Sequence, residues 1–185
     1  KNLSSFMSWA DAYKIPRIKI KDSSDRDELN STGIYLLFGK LEGEKDQAYI
    51  GEAESILKRL NQHLTQKDFW HEVIIFISKD DNLNKAHIKY LENRLHDTAV
   101  IADRYKIENS VVPTQSSISE SDKAEMEEFI ENVKLLVNTL GHKVFDEKRE
   151  HKTLQQKQFT FSIKATRGAD AIGEATSEGF VVFKG

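Results

Sequence analysis

The chain has 185 residues, 38% of them hydrophobic, which suits one domain with an appendage or two small ones. The absence of cysteine excludes a disulfide framework, thiol catalysis and Cys-ligated metal; it fits a reducing cytoplasm and leaves any metal to oxygen or nitrogen ligands. The longest apolar run, Val73-Ile74-Ile75-Phe76-Ile77, falls far short of the roughly 18 to 20 residues of a membrane span, and the net charge of −3 argues at first sight against a nucleic-acid partner.

The distribution of charge changes that reading. Residues 117–140 hold six acids and two lysines, a local −4, which leaves +1 for the rest of the chain. Lys14, Arg17, Lys19 and Lys21 form one basic run, and Lys148, Arg149 and Lys152 another. Such runs are more often solvated faces than binding patches, so they permit a polyanionic partner without requiring one.

Taken in chain order, residues 1–30 read as an N-terminal extension with a trimmed start, ending in a polar loop over residues 22–31. Ile34-Tyr35-Leu36-Leu37-Phe38 has the β-branched and aromatic content of a strand. A polar stretch with two glycines separates it from a second short strand around Ala48-Tyr49-Ile50, the pattern of a β-hairpin with a long loop. Ile56, Leu57, Leu60 and Leu64 then trace an amphipathic helix. Residues 73–78 read as a central strand buried on both faces. Asn84 is placed to cap a helix running to about Tyr105, with Ile88, Leu91, Leu95, Ala99 and Ala102 on one face.

This β-β-α-β-α order predicts an α/β (α+β) module over residues 31–112, a small three-stranded mixed sheet flanked by helices. Residues 117–146 follow as a docking unit, an amphipathic helix stopped at Gly141 and a strand at Lys143-Val144-Phe145. Residues 147–185 read as a small, cut-short unit with strands at residues 159–163 and 180–183 and a turn-rich segment at residues 168–179 between them.

Gly33-Ile34-Tyr35, followed at hairpin distance by Tyr49-Ile50-Gly51, resembles the signature of the GIY-YIG nucleases. The resemblance continues through Arg59 and His63 on the next helix, Glu92 on the one after, and Asn109 near the module's end. It is greatest to a subgroup reading like Tyr49-Ile50-Gly51-Glu52-Ala53, Lys67-Asp68-Phe69-Trp70 and residues 86–92, in which the nuclease module is followed by a small domain of unknown function. Residues 168–170 and 178–182 resemble that domain. The resemblance implies a metal-dependent endonuclease with Mg²⁺ or Mn²⁺ as cofactor and a nucleic acid, DNA ahead of RNA, as partner. Tyr35, Tyr49, Arg59, His63 and Glu92 are then catalytic, Glu92 the metal ligand, and Gly33, Gly51, Lys58 and Asn109 substrate-binding.

The residue types suit that chemistry. One carboxylate completed by phosphate and water is an ordinary Mg²⁺ shell, and Glu92 sits at the edge of a buried stripe, where an unpaired carboxylate is costly. Arg59 and His63 are one turn apart on one face, and a guanidinium grips two phosphate oxygens at once. A free tyrosine, with a pKa of about 10, needs a nearby cation to act as a base at neutral pH; which of the two takes the proton is left open. Taken singly, Glu92 would be a solvated helix residue, Arg59 and His63 a surface pair, Lys58 a surface lysine, the tyrosines core, and Asn109 a turn or cap. The other five histidines show no metal-ligand spacing, and Trp70 reads as core. Two rival functions remain: a nucleic-acid-binding module without turnover, and an interaction protein working through the acidic helix.

Overall fold

The structure, a computed structural model, describes residues 10–40, 45–78, 83–147, 160–164, 170–176 and 179–183. The chain divides into two compact units, residues 1–148 and residues 149–185. The mixed α+β class expected from the sequence is the one formed: in the first unit a mixed sheet is flanked by helices on both faces. The sheet has five strands where three were predicted.

The strands are β1 (Ala10–Pro16), β2 (Gly33–Gly39), β3 (Gln47–Ala53), β4 (Glu72–Ser78) and β5 (Lys106–Ile107), in the order β1-β4-β2-β3-β5. All neighbours are antiparallel except β3 and β5. The hairpin β2–β3 forms as predicted, and β2 and β4 lie in the middle of the sheet. Their near-continuous burial explains why they lack alternation: helices cover both faces.

On one face lies α1 (Ile56–Gln66), which shares a core with Tyr35, Leu37, Ile75 and Trp70. On the other lie α2 (Lys85–Ala102) and α3 (Glu120–Thr139), over Ile34, Leu36, Ile50 and Phe76. The predicted cap is made: the Asn84 side chain accepts from the Ala86 and His87 amides. α2 stops at Ala102, three residues before the predicted end, where Asp103 turns left-handed at φ 48°. α3 buries Met126, Phe129, Ile130, Val133 and Val137, and Glu127 ties it to α2 by accepting from Arg94 at 2.8 Å and Tyr90 at 2.7 Å.

Two boundaries need correction. The predicted strand at residues 143–145 is a turn that sinks Val144 and Phe145 into the α3 core. The N-terminal extension is part of the sheet: β1 pairs with β4 from Ala10↔Ser78 to Pro16↔Glu72, and Ile20 and Leu29 beyond it are fully buried. Three cations of the first basic run hold carboxylates, Lys14 to Glu72 at 3.0 Å, Arg17 to Asp68 at 3.3 Å and Lys19 to Asp22 at 2.9 Å, rather than standing free to bind a polyanion. The second basic run lies outside the described residues.

Arg17 has a further task. Its guanidinium donates to the backbone carbonyls of Leu64 (3.0 Å), Lys67 (2.8 Å) and Trp70 (3.2 Å), and lies 4.9 Å from the centre of the Trp70 ring. It satisfies the open carbonyls at the C-terminus of α1 and sits at the negative end of that helix dipole.

The second unit is an antiparallel meander, β6 (Thr160–Lys164), β7 (Asp170–Thr176) and β8 (Gly179–Phe183). β7 occupies part of the segment read as turns, because its Ala-Ile-Gly-Glu-Ala composition hides a strand; residues 168–169 and 177–178 of that segment lie outside the described residues. No helix among the described residues is long and apolar enough to cross a membrane.

Replacing Arg17 by Ala is expected to cost about 2–3 kcal/mol of stability in urea unfolding, with Lys restoring less than half, because one ammonium does not reach three carbonyls. A variant within about 0.5 kcal/mol of the parent would contradict this account of the helix end.

Candidate functional site

β2 and β3 place Tyr35 opposite Gly51. A Cβ at Gly51 would overlap the Tyr35 hydroxyl and press on the Tyr49 ring, so glycine is what allows the two phenols to converge; their ring centres lie 6.1 Å apart. Gly33 serves packing, since a Cβ there would run into the Phe76 carbonyl on β4. Neither glycine lines the cleft described below; what both contribute in this fold is the close approach of neighbouring groups.

α1 brings Arg59 and His63 over these rings. His63 is buried on the helix stripe with Ile56 and Leu60. The Tyr35 hydroxyl lies 2.8 Å from His63 Nε2 and accepts from Arg59 Nε at 3.4 Å; Arg59 also donates to Gln62 Oε1 at 3.1 Å. Burial, reinforced by Tyr49, pushes the Tyr35 phenol well up, with Arg59 only partly offsetting it. Burial, then the charges of Arg59 and Lys67, push the His63 imidazole down to about 4. Both groups are therefore neutral at pH 7. His63 Nδ1 is buried and has no hydrogen-bond partner among the described residues.

α2 supplies Glu92 from the opposite face of the sheet. Burial, then the neighbouring Glu52 carboxylate, push the Glu92 carboxyl up to about 7, against the Glu52 backbone amide, Arg59 and Lys89. Glu92 lines a cleft of about 360 Å³ with Tyr49, Arg59, His63 and Lys67, closed along one side by residues 109–114. Four of the five predicted catalytic residues thus share one cleft, and Tyr35 lies fully buried behind them.

Two predicted contacts sit differently. The Asn109 amide is engaged with the backbone of Ile50, accepting from its N–H at 3.1 Å and donating to its carbonyl at 2.7 Å, so it extends the sheet where β5 ends. Lys58 lines a neighbouring cleft, with Glu52, Ser55, Gln62 and Lys85, that shares only Arg59 with the first. Sequence reasoning missed Lys67, whose ammonium lies 4.4 Å from the centre of the Tyr49 ring, and Glu52, which faces Glu92. Both fall inside segments that carry the family resemblance, which was the available signal.

Among the described residues no group of three His, Asp or Glu side chains is arranged to hold a metal. Glu92 is the one carboxylate lining the cleft, which fits a one-carboxylate shell completed by phosphate and water and does not fit a preformed protein cage. Comparison with protein-family models, with curated proteins and with solved structures yields no match for this chain.

Because Glu92 binds its proton more tightly in the native chain than in the unfolded one, its contribution to stability is complete below about pH 4.5 and is lost as pH rises through about 7. Glu92→Gln keeps an acceptor for the Glu52 amide. It is expected to exceed the parent by about 1–3 kcal/mol near pH 8 and to equal it near pH 4, read from melting curves. An equal difference at both values would show that the Glu92 charge is not the cause.

Proposed function

We propose that this cleft is the active site of a GIY-YIG-type, divalent-metal-dependent endonuclease that hydrolyses phosphodiester bonds of nucleic acid, DNA ahead of RNA. The observation that carries the proposal is the convergence of Tyr49, Arg59, His63 and Glu92, from a strand and two helices on opposite sheet faces, on one cleft. An arrangement serving packing alone has no need to raise a carboxyl to about 7 beside a guanidinium.

In this reading Arg59 grips the non-bridging oxygens of the scissile phosphate. Its Nε is held by Tyr35 and one terminal nitrogen by Gln62, so the fork is oriented before substrate arrives. Glu92 would hold Mg²⁺ or Mn²⁺, which would supply Lewis-acid polarisation of the phosphate and acidify water beside it. Of the two tyrosines, Tyr49 is the one placed to receive the water's proton, because it lines the cleft while Tyr35 is sealed behind it and held protonated. The water oxygen attacks phosphorus as the bond to the leaving sugar oxygen breaks; the Tyr49 oxygen takes the water's proton while its own hydroxyl proton passes to bulk water, and bulk water reprotonates the leaving oxygen. Neutral His63 orients Tyr35 and so, indirectly, Arg59.

The interaction-protein alternative loses its main support, because the apolar face of α3 is buried against α2 and the sheet. A cysteine-free enzyme acting on intracellular nucleic acid belongs in the cytoplasm under this proposal.

Single-stranded, duplex and branched DNA and RNA, each with and without Mg²⁺ or Mn²⁺, form the test. Cleavage of at least one is expected, abolished by chelator and reduced roughly 10²-fold or more by Glu92→Ala, Arg59→Ala or Tyr49→Phe, with a smaller loss for Tyr35→Phe. No cleavage of any polymer, with binding retained in Glu92→Ala, would leave a binding module without turnover in its place.

A further inference from the structure

Lys67 caps the C-terminus of α1. Its amide donates to the His63 carbonyl at 3.1 Å, and its own carbonyl accepts from Arg17 at 2.8 Å. A lysine at a helix end that needed only solvation would extend into water. This one is partly buried, its ammonium over the face of Tyr49 inside the cleft.

Its charge is also uncommitted. Lys14, Lys45, Lys85 and Arg94 each hold a carboxylate. Among the described residues no carboxylate pairs with Lys67 or with Arg59, whose partners are Tyr35 and Gln62. Two cations, neither of them in an ion pair among the described residues, therefore line a cleft that holds a single carboxylate, Glu92, and both act on His63. Holding unpaired positive charge partly out of water is unfavourable unless an anion arrives to neutralise it.

We propose that Lys67 is a second substrate-binding cation, contacting a backbone phosphate next to the one gripped by Arg59. This rests on the nucleic-acid reading of the cleft. Arg59, with its planar fork, fixes the geometry of one phosphate; Lys67, a point charge with rotatable donors, tolerates variation in backbone conformation and reads no sequence. Arg17 is then a positioning residue, fixing from the other side of the helix end the turn that carries Lys67.

Counting released counter-ions tests this directly. The full chain carrying Glu92→Gln, to prevent cleavage, is titrated with fluorescent duplex and single-stranded DNA across a salt series. Adding Lys67→Gln is expected to reduce the slope of log affinity against log salt by about 0.9 on duplex, or about 0.7 on single strands, equally for unrelated sequences. Lys67→Arg is expected to restore the slope. Lys134→Gln, which removes a half-buried lysine paired to Glu131 on α3, away from the cleft, serves as the control and is expected to leave it unchanged. An unchanged slope in Lys67→Gln, or an equal reduction in Lys134→Gln, overturns the assignment while leaving the nuclease reading intact. Absence of any salt-dependent binding in the parent overturns both.

Discussion

The outer edge of β3 sets the terms for everything around it. Its outward-facing backbone groups occur at every second residue, and each must find a hydrogen bond. β5 supplies the first of these, accepted by the carbonyls of Asp46 and Ala48. At Ile50 no strand is left, and the Asn109 amide takes both the N–H and the carbonyl. At Glu52 the next amide in the series falls to the Glu92 carboxylate. Closing the edge therefore fixes the one carboxylate that faces the cleft, and fixes it where α1 from one face and α2 from the other both overhang.

That placement makes the two tyrosines unequal although they lie on paired strands. Tyr35 points into the α1 core, where burial keeps it a phenol and its oxygen serves Arg59 and His63. Tyr49, one strand nearer the edge, reaches the cleft. Gly51 between them permits the close approach, so the glycine of the second half of the hairpin motif acts through packing. The site is electrostatically asymmetric as well: a buried phenol lies behind, while a neutral histidine, one carboxylate and two cations outside any ion pair line the cleft.

The central architecture was legible because its elements announce themselves locally: a five-residue aliphatic strand, the Asn84 cap, the apolar stripe of α3 ended by Gly141. What escaped depended on distant partners. β1 carries Asp11, Lys14 and a terminal proline, and becomes a strand only because β4 offers an edge. β5 is two residues long and has no signal of its own. Arg17 sits in a run of like charges, and nothing in that run distinguishes it from its neighbours until α1 brings three carbonyls to it. For the site, spacing and resemblance placed Tyr49, Arg59, His63 and Glu92 together. The separate duties of the tyrosines, the engagement of Asn109 by the sheet edge, and the presence of Lys67 needed the fold.

The central claim is that Glu92 recruits a divalent cation to this cleft when phosphate is present. Paramagnetic broadening of side-chain NMR signals by Mn²⁺, measured with a cleavage-resistant phosphorothioate oligonucleotide bound, reads the location of the metal without requiring turnover. Selective broadening of His63 and Tyr49, lost in Glu92→Gln, is the predicted result. Broadening centred on the acidic surface of α3, or unchanged by Glu92→Gln, would contradict it.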